Sequence, residues 1–452
     1  MLYRGKMTPE KPLNDKTFTN GGSSRRVTIL KQAKSDTLVP MPDAHLVRQP
    51  GCFDQFRCIG AECEDTCCNG WGIPVDVQTY QKYQSPLDFR IAGKTLSSLV
   101  EINPASSSSV DYARMRLQGT VCPALNEGFC SIQQALGESY IPDLCSTYPR
   151  VLNMTGGTLE KSLHLSCPEA ARLVLKDPEA MVLCESMEES PPHRAGSLSA
   201  VEGADETLNR VRALMIEVIR ERSFPMWQRI VSLGFAVDRI ADVDTTRAVN
   251  IMQNHVNAFR RGLFQSIFAE QQAAPAYQLE TVLKLIVTRL GADYTTPRFL
   301  DCYKDFMLGL AWTNESTMED LAARYQLASE EYFQPFVRRH EHLLENHLVN
   351  YIFRTLFPYR RKRPNQTYVV DTSRESMRNS FLLLTAHYAI VRTVLIGMAA
   401  RHKADLSIDH AVKLVQSYSK AFMHSNSFET VVIESLNKAE YTTYRIAALM
   451  MG

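Results

Sequence analysis

The sequence predicts an α+β protein that is predominantly helical, with a cysteine-rich metal-cluster domain holding a small sheet first and an all-α domain after it. Three observations lead there. Nine of the eleven cysteines fall between Cys52 and Cys167. Leu159, Lys161, Leu163 and Leu165 alternate with Glu160, Ser162 and His164 directly after Gly156-Gly157, a pair that accepts positive φ in a tight hairpin turn. Leu208, Val211, Leu214, Met215, Val218 and Ile219 recur at helical spacing, and similar stripes continue almost to the C-terminus.

In chain order, residues 1–43 are polar, rich in Lys, Thr, Ser and Asn, and without periodicity, so they read as a disordered extension in which Met41 is a candidate second start. Residues 44–184 mix Gly, Pro and short alternating runs and form the cysteine-cluster domain. Residues 185–205, ESMEESPPHRAGSLSAVEGAD, contain Pro191-Pro192 and scattered small residues and read as a linker. Residues 206–452 form the helical domain, with a break at Ser223-Phe224-Pro225 and a capping box expected from Ser316 and Glu319. At 452 residues the chain buries a sizeable core without disulfide staples.

Charge and hydropathy exclude several classes. A formal net charge of +1 argues against nucleic acid as a partner, because polyanion binders carry a basic excess or stripe. The N-terminus MLYRGKMTPEKPLNDKTF has charges and prolines where a signal peptide needs an apolar core, so a cytoplasmic location is expected. Phe381 to Ala400 is the most apolar stretch, yet it contains His387, Arg392 and Gly397; it reads as a buried helix, and no membrane span is expected. The absence of GxxxxGK[ST], of a strand-linked GxGxxG and of G-x-S-x-G removes the common nucleotide-binding and hydrolase assignments.

The cysteines carry the chemistry. In a reducing compartment eleven of them need an explanation other than disulfides. FRCIGAECEDTCCNGW places Cys58, Cys63, Cys67 and Cys68 within eleven residues, so several thiolates converge at little loop-closure cost. Cys122, Cys130 and Cys145 supply ligands at longer range, as does Cys167 before Pro168. C-x₂-C knuckles are missing, which favours an iron–sulfur centre over structural zinc, the alternative metal. Adjacent Cys67 and Cys68 diverge, so one is a ligand and the other packed or redox-active. Cys52, Cys184 and Cys302 read as ordinary buried thiols.

Two further runs read as solvated surface. RRHEHLLENH offers His340, His342 and His347 with Glu341 and Glu345, but not at HEXXH spacing. Arg360-Arg361-Lys362-Arg363 most simply meets water. Gly70-Trp71-Gly72 reads as a turn beside the cysteines.

FRCIGAECEDTCCNGWGIPVD, CPALNEGFCSIQQALGE, CSTYPR and LSCPEAARL together resemble the flagellin lysine-N-methylases of enteric bacteria, over about Phe56 to Leu173. The resemblance implies transfer of methyl groups from S-adenosylmethionine to surface lysines of flagellin, and a 4Fe-4S cluster. No Rossmann glycine loop is present, so a donor site must be built another way. The radical-type C-x₃-C-x₂-C is also missing, since Cys67 is followed at once by Cys68. A lysine amine, with a pKa of about 10.4, must lose its proton before attacking a sulfonium methyl, and an apolar or aromatic wall assists that loss. Trp71, Tyr148 and Tyr112 are candidates for the wall, and Asp76 or Glu169 for orienting the amine. Arg150 is suited to the methionyl carboxylate, or to a salt bridge within the domain. Tyr148, Arg150 and Asp76 are thus the candidate cofactor-binding residues, and no catalytic base is named by the sequence. The competing reading is a metal-dependent redox sensor or interaction module without methyl transfer.

Overall fold

Alternation and turn chemistry place a hairpin at Gly156-Gly157, and the computed structural model has it: strands Arg150–Thr155 and Thr158–Leu163 pair antiparallel across the two glycines, at φ +57° and +84°. Gly156 is required on two counts. Its φ is left-handed, and a Cβ there would lie 2.7 Å from Asp205 Cα. The structure describes residues 45–85, 89–106, 108–188, 198–291, 296–362 and 368–438, with Ile446 and Leu449. All of these fall in the compact unit 41–452. The extension 1–43, Met41 and Pro191-Pro192 lie outside the described residues.

The hairpin is the centre of a seven-stranded sheet. Its order is Leu183–Glu188, His45–Pro50, Thr158–Leu163, Arg150–Thr155, Leu198–Glu202, Tyr368–Val370, Arg360–Lys362. Three pairings are parallel: His45–Pro50 on Thr158–Leu163, and Leu198–Glu202 on both Arg150–Thr155 and Tyr368–Val370. Two parts of the stretch 185–205 read as a linker are therefore sheet, while 189–197 lie outside the described residues. The basic tract is likewise not merely solvated: Arg360–Lys362 is an edge strand, and Arg361 pairs with Asp371.

The alternation in Thr158–Leu163 anticipates one wet face, whereas all six residues are buried. Helices cover what would have been the polar side, and the polar residues are paired in compensation. Glu160 takes Nη1 of the buried Arg212 at 2.9 Å, and Lys161 meets Glu188 at 2.7 Å. Buried ions persist only with such partners.

Among the described residues from Glu206 onward, the regular structure is helical apart from the two short strands. Helices Glu206–Ile219 and Met226–Ile240 are separated by the expected Ser-Phe-Pro break. The capping box at Met318–Ala328 uses Thr317 with Asp320, one residue beyond the expected Ser316, because the Ser316 hydroxyl already accepts from the Thr313 N–H. Helix Arg374–His402 has the length and apolarity to cross a membrane, but 94% of its apolar window is buried inside the protein. It meets helix Pro297–Gly309 so closely that a Cβ on Gly397 would lie 2.5 Å from the Phe306 ring.

RRHEHLLENH corrects the sequence reading. Helix His342–Thr355 is buried from Leu343 to Arg354, and Glu345 accepts from Arg222 and from the fully buried Arg229. Charged letters here mark a buried ion network, which periodicity cannot distinguish from a solvated face.

Two hydrophobic cores result. The larger runs from Val47 to Leu449, joining sheet and helices. The smaller is built from Ile73, Val75, Leu96, Leu99, Val100, Ala113, Met115 and Ile132, around the three-stranded sheet Pro74–Val75, Ala113–Met115, Val100–Ile102. Cys122 belongs to this small core, and Cys68, Cys130 and Cys145 pack against it.

Candidate functional site

The loop carrying the first four cysteines is laid onto a second cysteine-bearing element. Gly60, at φ +58°, faces Phe129, and a Cβ on Gly128 would lie 3.3 Å from Ala61. The ribbon Leu125–Asn126/Phe129–Cys130 thereby brings Cys130 under the loop. The Cys122 N–H donates to the Cys68 carbonyl at 2.8 Å. Cys145 rides on the short helix Asp143–Thr147, and Asp76 fixes that helix. Asp76 caps Val77–Gln84 by accepting from the Thr79 N–H and hydroxyl, each at 2.8 Å, and it also accepts from the Asp143 N–H at 3.0 Å. Both of its oxygens are committed to the fold, so Asp76 positions Cys145.

The thiols sort into two sets. Burial pushes Cys145 well above the ordinary thiol range, with Cys68, Cys122 and Cys130 adding to the rise. Burial likewise lifts Cys122 to about 12, with Cys68 and Cys130 contributing, and raises Cys130 beside Cys68. Separately, burial with Cys63 and Cys58 nearby lifts Cys167 to about 12. Arg172, on the helix that follows Cys167, pairs with Glu64 next to Cys63. Cys67 sits between the sets. Its thiol donates to Cys68, which lowers Cys68 with help from Thr66 and Lys420, and Cys67 itself is raised. The cysteines read from the sequence as ligands thus fall into two groups, with Cys167 in the second.

All eleven cysteines are free thiols. Among the described residues no three His, Cys, Asp or Glu side chains sit close enough to hold a metal ion. The donor chemistry suits a thiolate-bound centre, with four sulfurs grouped around one apolar core; closing on a metal requires those side chains to turn toward each other. Of the thiols read as ordinary, Cys302 is fully buried 4.0 Å from the Ser417 hydroxyl, Cys52 is buried, and Cys184 is instead exposed on its strand.

Beside Cys67 and Cys68 lies a polar aromatic cluster in which Trp71 and Tyr148, expected from the sequence, are joined by His164, Ser166 and His424, which the sequence reading missed. The Trp71 Nε1–H donates to the Cys67 carbonyl at 2.6 Å, making the Gly-Trp-Gly turn part of the thiol loop. The Trp71 ring lies 5.6 Å from Tyr148 and is stacked at 5.7 Å on His424. His424 in turn stacks on His164 at 4.3 Å. One hydroxyl joins them: Ser166 Oγ is 2.7 Å from His164 Nδ1, 2.9 Å from the Tyr148 hydroxyl and 2.9 Å from His424 Nε2. Burial of the ring, with Arg354 and Lys420, holds His424 at about 4; burial, Arg354 and His424 hold His164 well below the imidazole range. Both are neutral at pH 7, and His424 as a residue is exposed.

The helical half locks this cluster to the thiols. From helix Ile408–Phe422, Lys420 donates to the Asp65 carboxylate at 2.6 Å and to the Thr66 carbonyl at 2.8 Å. Gln416 Nε2 bridges Asp65 at 3.0 Å and the Ser166 carbonyl at 2.9 Å.

The remaining candidates separate. Tyr112 stands against Tyr80 at 5.1 Å in the small lobe, so the aromatic wall is Trp71 with Tyr148. Glu169 is engaged by Arg172 at 2.8 Å. Arg150 lies 4.9 Å over the Phe56 ring and donates to its carbonyl at 3.4 Å, with no carboxylate partner among the described residues. Burial and Arg57 lower its pKa, which leaves a half-buried cation able to receive a carboxylate.

The helical half, where the sequence offered no motif, decides the family. A family model described as FliB lysine N-methylase C-terminal domain matches residues 212–450, more than half of the chain. The chain belongs to the FliB lysine N-methylase family. Its resemblance to that family at the cysteine blocks and the match through the helices are therefore two halves of one membership. A Lysine-N-methylase of Salmonella typhimurium is 32% identical over 142 residues, which is 31% of this chain and 35% of that protein. A Lysine-N-methylase of Salmonella choleraesuis is 22% identical over 389 residues, covering 84% of this chain and 92% of that protein. The Flagellar biosynthetic protein FliU of Salmonella muenchen is 32% identical over 142 residues, 31% of this chain and 82% of its own length. No solved structure matches the chain.

Proposed function

We propose that the chain is a protein lysine N-methyltransferase that moves methyl groups from S-adenosylmethionine to surface lysines of flagellin, and that its cysteine lobe holds a 4Fe-4S cluster. The observation that carries this reading is the neutral pair His164 and His424 stacked against Trp71 and Tyr148 beside the thiol loop. Methyl transfer forms one N–C bond as the S–C bond breaks, and the sulfonium electron pair returns to sulfur. The amine must give up its proton for this. His424, neutral at pH 7, takes that proton, and Ser166 relays it toward His164 and Tyr148. The Trp71–Tyr148 wall keeps the substrate alkyl chain dry and favours the uncharged amine. Arg150 receives the donor's carboxylate.

Cys68, Cys122, Cys130 and Cys145 are the residues suited to holding the cluster. When bound, an iron–sulfur centre supplies electron-transfer or ligand-binding chemistry tuned by its surroundings. A second reading has one observation in its favour: Cys67 and Cys68 are adjacent, and the hydrogen bond from Cys67 holds the Cys68 thiol below its usual range, as a redox-active dithiol needs. One experiment separates them. Protein purified without oxygen is assayed for iron, zinc and sulfide, then incubated with S-adenosylmethionine and flagellin. Iron and sulfide in equal amounts with a mass gain on flagellin lysines supports the methyltransferase; zinc with no mass gain sinks it.

A further inference from the structure

Ser166 serves three partners with one hydroxyl, and its backbone is held on both sides. Its N–H donates to His164 Nδ1 at 3.2 Å, and its carbonyl accepts from Gln416 Nε2 at 2.9 Å. Gln416 is fully buried, and every polar group of its amide is used. Nε2 also donates to Asp65 Oδ2 at 3.0 Å, and Oε1 accepts from Arg298 Nε at 2.9 Å. Turned over, the amide would set its oxygen against a carboxylate and a carbonyl, and its NH2 against a guanidinium. Arg298, at the start of helix Pro297–Gly309, therefore fixes which end of the amide faces the site.

The neighbouring clamp is simpler. Lys420 donates only into the thiol loop, to Asp65 and to the Thr66 carbonyl. Gln416 donates to the loop and to the serine. Asp65 stands two residues from Cys63 and from Cys67, so one buried side chain spans the thiol loop and the proposed proton path. Buried amide groups are costly to leave unpaired, and the three bonds therefore hold loop, serine and helix Ile408–Phe422 as a unit.

We infer that Gln416, oriented by Arg298, is a positioning residue of the methyl-transfer site: it sets the Ser166 backbone against the thiol loop so that one hydroxyl meets His164, Tyr148 and His424 together. The inference rests on the reading of His424 and Ser166 as the proton path. Proton transfer needs heavy atoms about 2.6–3.2 Å apart, and the Ser166 Oγ contacts of 2.7, 2.9 and 2.9 Å all lie in that window. A serine displaced by about 1 Å would lose at least one of them. Gln416 itself takes no proton; it acts through Ser166 and Asp65.

Gln416→Glu keeps the size of the side chain and an acceptor for Arg298, and removes both donors. In single-turnover reactions of the full chain with S-adenosylmethionine and flagellin, the rate constant should fall roughly tenfold to a hundredfold. The amplitude, which counts correctly folded molecules, should stay near that of the parent protein. Arg298→Met should lower the rate constant in the same direction, and Arg298→Lys, which keeps a donor toward Oε1, should retain most of it. A reduced amplitude with the parental rate constant would make Gln416 a stability residue alone and overturn the proposal, as would parental rate constants in both Gln416→Glu and Arg298→Met. A second readout needs no methyl transfer. Iodoacetamide labelling of Cys63 in the native protein, followed by peptide mass spectrometry, should speed up several-fold in both variants as the Asp65 anchor loosens; unchanged labelling overturns the clamp. A parent protein that methylates no flagellin sinks the functional reading itself, and the labelling then still decides whether Gln416 holds the loop.

Discussion

His164 and His424 lie face to face with ring centroids 4.3 Å apart, one just past the strand Thr158–Leu163 and the other beyond the helix Ile408–Phe422. The stack joins the two halves of the chain at the point where the proposed reaction needs a neutral base.

His424→Ala should lower kcat for flagellin methylation by roughly 10²–10⁴, the usual contribution of a general base. Added imidazole should restore part of it, which a purely structural loss would not allow. Unchanged kcat, or a loss that imidazole does not touch, would remove His424 from the proton path.

Acid should unfold the protein early. His387 is held at about 3, His347, His255 and His424 at about 4, and His164 well below its ordinary range, in each case first by burial. Each folded pKa is depressed, so the unfolded chain binds more protons below about 6.5. The stability they contribute is complete above that pH and is lost as pH falls toward 4. Each histidine adds up to about 1.4 kcal/mol per pH unit to the slope. Urea unfolding between pH 7 and 4.5 measures it, and a flat profile would contradict these burial states.

Asp76→Ala should destabilise the protein by about 0.5–2 kcal/mol through the lost cap, as read from urea midpoints. It should also lower metal content, because the Asp143 N–H that holds the Cys145 helix loses its acceptor. A variant with full metal loading would show that Cys145 does not depend on this anchor.

Serine substitutions should divide the cysteines as the structure does. Replacing Cys68, Cys122, Cys130 or Cys145 should each strip most of the iron, and pairs within that set should cost no more than single changes. Replacing Cys58, Cys63 or Cys167 should act separately, adding to the first set. Iron and sulfide per chain, measured anaerobically, report this; equal effects across all seven would merge the sets.

Gly397→Ala should cost roughly 1–3 kcal/mol, the range for overpacking a tight core. The new methyl would meet Phe306, and helix Pro297–Gly309 would have to move away. A stability equal to that of the parent protein would mean that this contact yields freely.

The parts of the fold legible in the sequence were those governed by local rules. Gly156-Gly157 announced its hairpin and Ser223-Phe224-Pro225 its helix break, because φ preferences and a missing N–H act within a few residues. What failed depended on distant partners. Glu345 read as solvated because its arginines, Arg222 and Arg229, are remote in sequence. At the site, Trp71 and Tyr148 were found from the cysteine blocks they adjoin. His424 and Lys420 sit in a helical segment with no motif, and only the folded chain carries them to the thiol loop. Tyr112 failed for the same reason in reverse: near in sequence, it faces Tyr80.

Strands Arg360–Lys362 and Tyr368–Val370 complete a sheet whose other five strands end at Glu202. A chain leaving the ribosome therefore carries an open edge at Leu198–Glu202 through the synthesis of several helices, and an open edge invites pairing with other chains. The cysteines from Cys58 to Cys167 emerge before any of this is closed. Iron supplied during synthesis would meet them while Gln416 and Lys420, the residues that later pin their loop, are still unmade.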